Sequence, residues 1–148
     1  MTKPTDKPTP GVMDLSALDM TKFCNNPVRV ELKHPITNAP LGIFISVLGK
    51  DSDTFREHLR TTVNEKSRKA AMAARRGKEV EPETLEQAEA QGVDLLIVCT
   101  VGWENVTFEG EDLEFNVPNA RRVYSKLRWI RGQVDNAVDD LELFMNRS

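Results

Sequence analysis

What this chain has little of narrows its chemistry first. Its two cysteines, Cys24 and Cys99, stand far apart in 148 residues, so it carries no dense disulfide framework of the kind that staples small secreted domains. A reducing cytoplasm is the simpler setting. Histidine is as scarce, with only His34 and His58. Cys24, His34, His58 and Cys99 amount to four zinc donors, but metal sites offer donors in close pairs, such as Cys-x-x-Cys or His-x-x-x-His, so that one local turn orients two of them. No such pair occurs, and the expectation is no metal and no cofactor. Neither histidine belongs to a signature with an activated serine or cysteine. The carboxylates Glu109, Glu111, Asp112 and Glu114 fall in a hydrophilic connection, where they solvate the chain rather than set up acid–base work. No catalytic residue is expected, and the chain reads as a non-enzyme.

Long apolar runs are also missing. The longest, Leu41 to Leu48 and Val93 to Val101, fall far short of the ~20 residues that a membrane-crossing helix needs. Met1 to Gly11 alternates Thr, Pro, Lys and Asp, without the run of roughly 7 to 15 apolar residues found in a secretory signal. A soluble protein without a membrane partner is expected. Positive charge is not in excess either: 20 Lys and Arg face 23 Asp and Glu, for a net charge of −3 and a pI near 5.5. There is no global field to attract nucleic acid. Gly49-Lys50 lies between a predicted strand and a predicted helix, yet it is not a phosphate-binding loop. Six residues separate Gly42 from Gly49, and Asp51 follows Lys50 where a hydroxyl is required.

What is present predicts one domain. At 39% hydrophobic residues the chain can build a core, since a domain of this length buries about 68 to 70% of the surface of its unfolded form. Residues 1–26 are expected to be a mobile N-terminal segment. Its first part interleaves Pro4, Pro8 and Pro10 with small polar residues, which offer little to bury against ordering entropy. Met13, Leu15, Leu18, Met20 and Phe23 form a short amphipathic stretch behind it. Residues 27–148 are expected to form a single α+β domain, with one N-terminal β-hairpin followed by about four helices. Val28, Val30 and Leu32 alternate with charged residues, and Ile43, Ile45 and Val47 alternate after a Pro- and Asn-containing turn at His34 to Pro40.

Asp51 and Ser52 are N-cap candidates for a helix that buries a stripe of Phe55, Leu59 and Val63. Its continuation, Lys66 to Arg76, is rich in alanine and in charge, poor in bulky apolar residues, and expected to protrude. Pro82-Glu83 suits the first turn of a further helix running towards Val101, whose apolar half, Val93 to Cys99, belongs at the centre. Gly102 to Val117 reads as a packed loop. From Asn116 or Val117 onward, Ala120, Val123, Tyr124 and Leu127 make one helical face, continued by Ile130, Val134, Ala137 or Val138, Leu141, and Phe144 or Met145. Either two helices meet near Arg128 and Trp129, or one bends there. The aromatic residues Trp103, Phe108, Phe115, Trp129 and Phe144 are assigned to the core rather than to an interface. Lys66, Arg68, Lys69, Arg75 and Arg76 form a candidate electrostatic patch; no aromatic side chain interrupts it to stack on bases, so nucleic acid is not the expected partner.

This order of features resembles a family. In the tail assembly chaperones of long-tailed (siphovirus-like) bacteriophages, an alanine- and charge-rich middle precedes an apolar helix, a Trp near its end, a Gly-containing connection and a closing pair of helices. The matching residues are Leu95 to Val106 with Trp103, then Gly110, Leu113, Phe115-Asn116 and Asn119-Ala120, then Tyr124, Trp129-Ile130 and Gln133-Val134, with Phe144-Met145 at the end. His34-Pro35 and Pro40-Leu41-Gly42 are similar to the hairpin of related phage proteins. The resemblance spans roughly residues 28–147.

It implies a viral assembly factor in the host cell cytoplasm that binds the tape measure protein, keeps it soluble, and helps recruit major tail tube protein subunits; self-association is a further expectation. A chain ending at Ser148 would be the short form in a family that often makes a longer one by frameshifting. The stripe of Trp129, Ile130, Val134, Val138, Leu141 and Phe144 is long enough both to pack on the core and to leave an edge for a helical partner. It is the partner-binding candidate. A structural component retained in the virion tail, and a small regulatory protein binding nucleic acid, are the alternatives.

Overall fold

The computed structural model describes residue 12 and residues 14–146. The expected mobility of Met1 to Gly11 lies outside the described residues. A 3-10 turn at Leu15–Leu18 leads into a short helix α1 (Met20–Cys24), then strands β1 (Val28–Lys33) and β2 (Pro40–Val47), and helices α2 (Asp53–Arg75) and α3 (Leu85–Cys99). Strand β3 (Thr100–Glu104), a two-stranded ribbon of β4 (Thr107–Phe108) and β5 (Glu111–Asp112), and helices α4 (Val117–Lys126), α5 (Arg128–Asp139) and α6 (Leu141–Met145) complete the chain. The fold is mixed α+β and predominantly helical, as the sequence implies.

The hairpin forms where alternation places it. Val28 pairs with Val47 and Val30 with Ile45 in antiparallel register, so Val28, Leu32, Ile45 and Val47 are buried on one face. The turn is held by His34, whose Nδ1 accepts from the amides of Ile36 and Thr37, both at 3.1 Å. Asn38 takes a positive φ of 61° there. On the opposite face the Arg29 guanidinium lies 3.6 Å from the Phe44 ring centroid and pairs with Glu104 at 2.7 Å. A planar cation thereby covers the one large apolar ring on that side.

Three expectations change. The sheet has a third strand, β3, which pairs antiparallel with β2 (Ile45 opposite Trp103). Helix α3 therefore stops at Cys99 instead of running to Val101, and it starts later than Pro82, at an N-cap Thr84 whose capping box with Gln87 satisfies two end groups. The loop after β3 is partly regular: Glu109 and Gly110 both have positive φ (52° and 81°), as a two-residue hairpin turn requires, joining β4 to β5. Finally, the end of the N-terminal segment packs on the domain, whereas residues 14–19 stay exposed. Cys24 is fully buried, and Asn25 exchanges hydrogen bonds with Asp53 at 2.8 and 2.9 Å, which fixes α1 to the start of α2.

Residues 48–50 tie the helices together. The Leu48 amide donates to Cys99 O (2.8 Å), Gly49 to Cys24 O (3.0 Å) and Lys50 to Val138 O (3.0 Å). Three consecutive N–H groups thus satisfy carbonyls at the C-terminal ends of α3, α1 and α5, which have no partner within their own helices. Ser52 then caps α2, its Oγ accepting from Phe55 at 3.2 Å.

Around this junction sits the core: Val93, Leu96, Ile97 and Cys99 of α3, Ala120, Val123 and Tyr124 of α4, Ile130, Val134 and Val138 of α5, and Phe144 of α6. Buried Thr100 donates its hydroxyl hydrogen to Leu96 O at 2.7 Å, so the Tyr124 hydroxyl, 2.7 Å away, is the donor to Thr100 Oγ1. Trp103, half-buried, donates from Nε1 to Leu113 O at 2.8 Å and meets Phe115 edge to face at 5.1 Å, closing the connection over the sheet. The chain breaks at Leu127 (φ −113°, ψ 87°) between α4 and α5, so the two-helix alternative holds. Gly132 lies inside α5 and is not the break.

Three substitutions probe this arrangement by thermal or urea unfolding. A Cβ on Gly49 would lie 2.5 Å from Cys24 Sγ and 2.8 Å from its Cβ, so Gly49→Ala should destabilise by about 1 to 3 kcal/mol through overpacking. Tyr124→Phe removes the donor to Thr100 and should cost about 1 to 2 kcal/mol. Trp103→Ala should cost about 3 kcal/mol; a loss below about 1 kcal/mol would mean that this indole does not hold the connection down.

Candidate functional site

The partner-binding stripe assigned from sequence is not on the surface. Ile130, Val134, Val138 and Phe144 are buried within the chain's own core, and Trp129 and Leu141 are half-buried against it. Helical spacing marks a face that is covered without saying by what, and here α3 and the sheet cover it. Trp129, Trp103, Phe108, Leu41 and Ile43 also line an apolar cavity of about 170 Å³ between the sheet and α4–α5.

The surface feature is instead the pair α2–α3. None of the 23 residues of α2 is buried, and of these only Phe55, itself half-buried, packs against the core. The stripe expected to be hidden is open: Leu59 is 36% and Val63 54% exposed. At 1.5 Å per residue α2 is roughly 34 Å long; His58 to Lys66 lie beside Ala88 to Leu95 of α3, and the rest of α2 extends past the start of α3 as an arm. A groove of about 370 Å³ runs between the two helices, walled by Leu59, Thr62 and Val63 on one side and Ala88, Gly92 and Leu95 on the other. Small residues on α3 leave room there for another apolar side chain. Further along the arm Met72, Val80 and Leu85 are 40%, 54% and 70% exposed.

The five basic residues singled out by sequence all lie on this arm and are exposed. Lys66 reaches across to Glu83 at 3.8 Å, and Arg68 pairs with Glu65 on its own helix. Among the described residues, Lys69, Arg75 and Arg76 make no ion pair. Charge is segregated further than the basic run suggests. Residues 66–78 hold six Lys and Arg and no acid, whereas residues 79–120 hold eleven Asp and Glu and no base. Part of this acidity is balanced elsewhere: Asp94 pairs with Arg121, and Glu89 with Arg131 at 3.5 Å.

Other candidate chemistry is placed in structural roles. His34 holds the hairpin turn, and burial pushes the Cys99 thiol up to about 12, which keeps it protonated and a poor nucleophile at neutral pH. Gly49-Lys50 belongs to the backbone junction, with Lys50 paired to Asp139 at 2.8 Å. Among the described residues no group of three or more His, Cys, Asp or Glu is placed to hold a metal ion, and no helix is long and apolar enough to cross a membrane.

Sequence reasoning missed the groove because Leu59 and Val63 have the spacing of a buried stripe. The usable signal was the alanine run that follows them, Ala70 to Ala74, which offers no bulky apolar residue to continue the stripe. No family model, curated protein or solved structure matches the chain.

Proposed function

We propose that this protein is a tail assembly chaperone of a long-tailed bacteriophage, acting in the host cytoplasm without catalysis. It binds the tape measure protein through the α2–α3 arm and helps to recruit tail tube subunits. The observation that carries this reading is the 23-residue helix α2 with no buried residue and an open apolar groove beside it. A tape measure protein is a long helical chain with apolar stripes, and such a stripe fits a groove between two helices. Reversible release suits many modest contacts along a chain more than one tight site. The resemblance in residues 95–106 and 110–134 supports the same reading from the sequence side.

The unpaired bases Lys69, Arg75 and Arg76 favour, as a second reading, a regulator that binds nucleic acid. Without stacking groups or base readout such binding would be weak, unselective and strongly salt-dependent. Sequence-selective retention of a duplex at near-physiological salt in a gel-shift measurement would promote it over the first.

Co-expression tests the chaperone reading directly. The wild-type chain should keep a tape measure protein encoded alongside it soluble. Val63→Asp, placed at an exposed groove position, should abolish that effect while leaving the melting temperature within a few degrees. Val101→Asp, on β3 and also exposed (46% against 54% for Val63), is the control and should change neither. A tape measure protein that stays insoluble with the wild-type chain would sink the proposal; solubilisation untouched by Val63→Asp would place the binding surface elsewhere.

A further inference from the structure

Two glycines lie inside helices where the fold gives no reason for them. Gly42, Gly77 and Gly110 take positive φ, and a Cβ on Gly49 would strike Cys24. Gly92 in α3 and Gly132 in α5 are different. Each has at least a turn of helix on either side, and a Cβ on either would meet nothing within 4 Å. Alanine would fit at both positions. Glycine is the poorest helix former after proline, because its backbone loses the most freedom on ordering. A helix that keeps glycine in open space therefore gives up stability for room that its own chain does not fill.

At Gly92 that room opens into the groove. Gly92 is exposed and lies midway along the α3 wall, between Ala88 and Leu95, with Leu59 and Val63 on the α2 wall. A wall that lacks even a methyl at this point admits a side chain that a larger residue would keep out. His58 to Lys66 measures roughly 12 Å along α2, about two helical turns. The groove thus suits a helix that presents apolar residues at i, i+4 and i+7. Gly132 lies on the far side of α3: it borders the cleft between α3 and α5, which Gly92 also reaches, but does not line the groove.

We propose that Gly92 is the specificity-determining residue of the groove, seating the middle one of three apolar side chains, of leucine or phenylalanine size, on a client helix laid between α2 and α3. The role rests on the reading of this groove as the client site. It adds the chemistry of the client: a bulky apolar residue at the centre of the contact, with an apolar neighbour one turn away on each side.

Two measurements on the full chain test this. In thermal unfolding, Gly92→Ala and Gly132→Ala should each raise the melting temperature by about 2 to 4 °C, the gain expected when an exposed helical glycine becomes alanine. A fall for Gly92→Ala would show that the fold itself demands this glycine, and overturns the proposal. For binding, the probe is a labelled helical peptide of roughly 20 residues, with leucine at i, i+4 and i+7 on a background rich in Ala, Glu and Lys, followed by fluorescence anisotropy. The wild type and Gly132→Ala should bind it equally well. Gly92→Ala should bind it less tightly, and Gly92→Leu about tenfold more weakly than the wild type or worse. A second peptide with alanine in place of the middle leucine should reverse the order: Gly92→Leu binds it more tightly than the wild type, since the missing side chain now comes from the other wall. Equal binding of the leucine peptide by the wild type and Gly92→Leu, an order that the second peptide does not reverse, or a wild type that binds neither peptide overturns the proposal. Loss of binding on Gly132→Ala does so too, by placing the helix in the cleft beyond α3. A wild type that binds the peptides as described yet leaves a tape measure protein insoluble sinks the chaperone reading alone; a tape measure protein kept soluble equally by the wild type and Gly92→Leu sinks the role of Gly92 alone.

Discussion

Three consecutive backbone amides hold this molecule together. Leu48, Gly49 and Lys50 donate to Cys99, Cys24 and Val138, and each acceptor sits at the C-terminal end of a different helix. Those carbonyls would otherwise be orphans in a region where little water reaches them, and an unmet backbone acceptor there is costly. A single tripeptide leaving β2 thereby sets where α1, α3 and α5 end relative to the sheet. The requirement for glycine follows from this. A chain that passes close enough to α1 to bond it leaves no space for a Cβ beside Cys24, and Phe144 closes the other side at 3.2 Å. Thr100 extends the arrangement by one residue. It ends α3, begins β3, and through Leu96 and Tyr124 fixes how α4 lies on that corner.

Much of this was legible in local pattern. Period-two alternation at Val28–Leu32 and Ile43–Val47 located the hairpin, and helix starts were narrowed to Asp51 or Ser52 and to Asn116 or Val117, of which Ser52 and Asn116 are the caps because their side chains accept from a backbone N–H. The apolar segment at Val93–Cys99 was recognisably central. What stayed hidden depends on distant partners. Leu95 to Cys99 is apolar without interruption and only Thr100 parts it from Val101, so periodicity cannot say where helix turns into strand. That point is set by Thr100 and Gly102 pairing with β2, more than fifty residues earlier in the chain.

The candidate site was harder to read for a related reason. The stripes Phe55–Leu59–Val63 and Ile130–Val134–Val138 look alike in sequence, yet the first is open and the second is core. α5 lies against the sheet and α3, with Gln133 clasping the backbone of Lys33 at both its N–H and its C=O (2.9 and 2.8 Å). α2 leaves the body after one anchored turn, and only α3 accompanies it. Amphipathic spacing reports that a face is to be covered; whether the cover comes from the same chain is a matter of topology. The break between α4 and α5 was legible in position, near Arg128 and Trp129, but not in kind: whether two helices meet or one bends depends on the backbone at Leu127, on which side-chain spacing is silent.

The outer part of the arm packs on nothing in the core, which has a consequence for its dimensions. The junction at residues 48–50 and the cap at Ser52 fix one end of α2, and Cys99 fixes one end of α3. The tip between Arg76 and Thr84 touches neither. The reach of the arm is therefore a free variable of the fold: two helical turns, about seven residues, inserted into each helix would lengthen it by roughly 10 Å while keeping every face in phase. Related chains built on the same body can differ in span without any change to the domain that holds them.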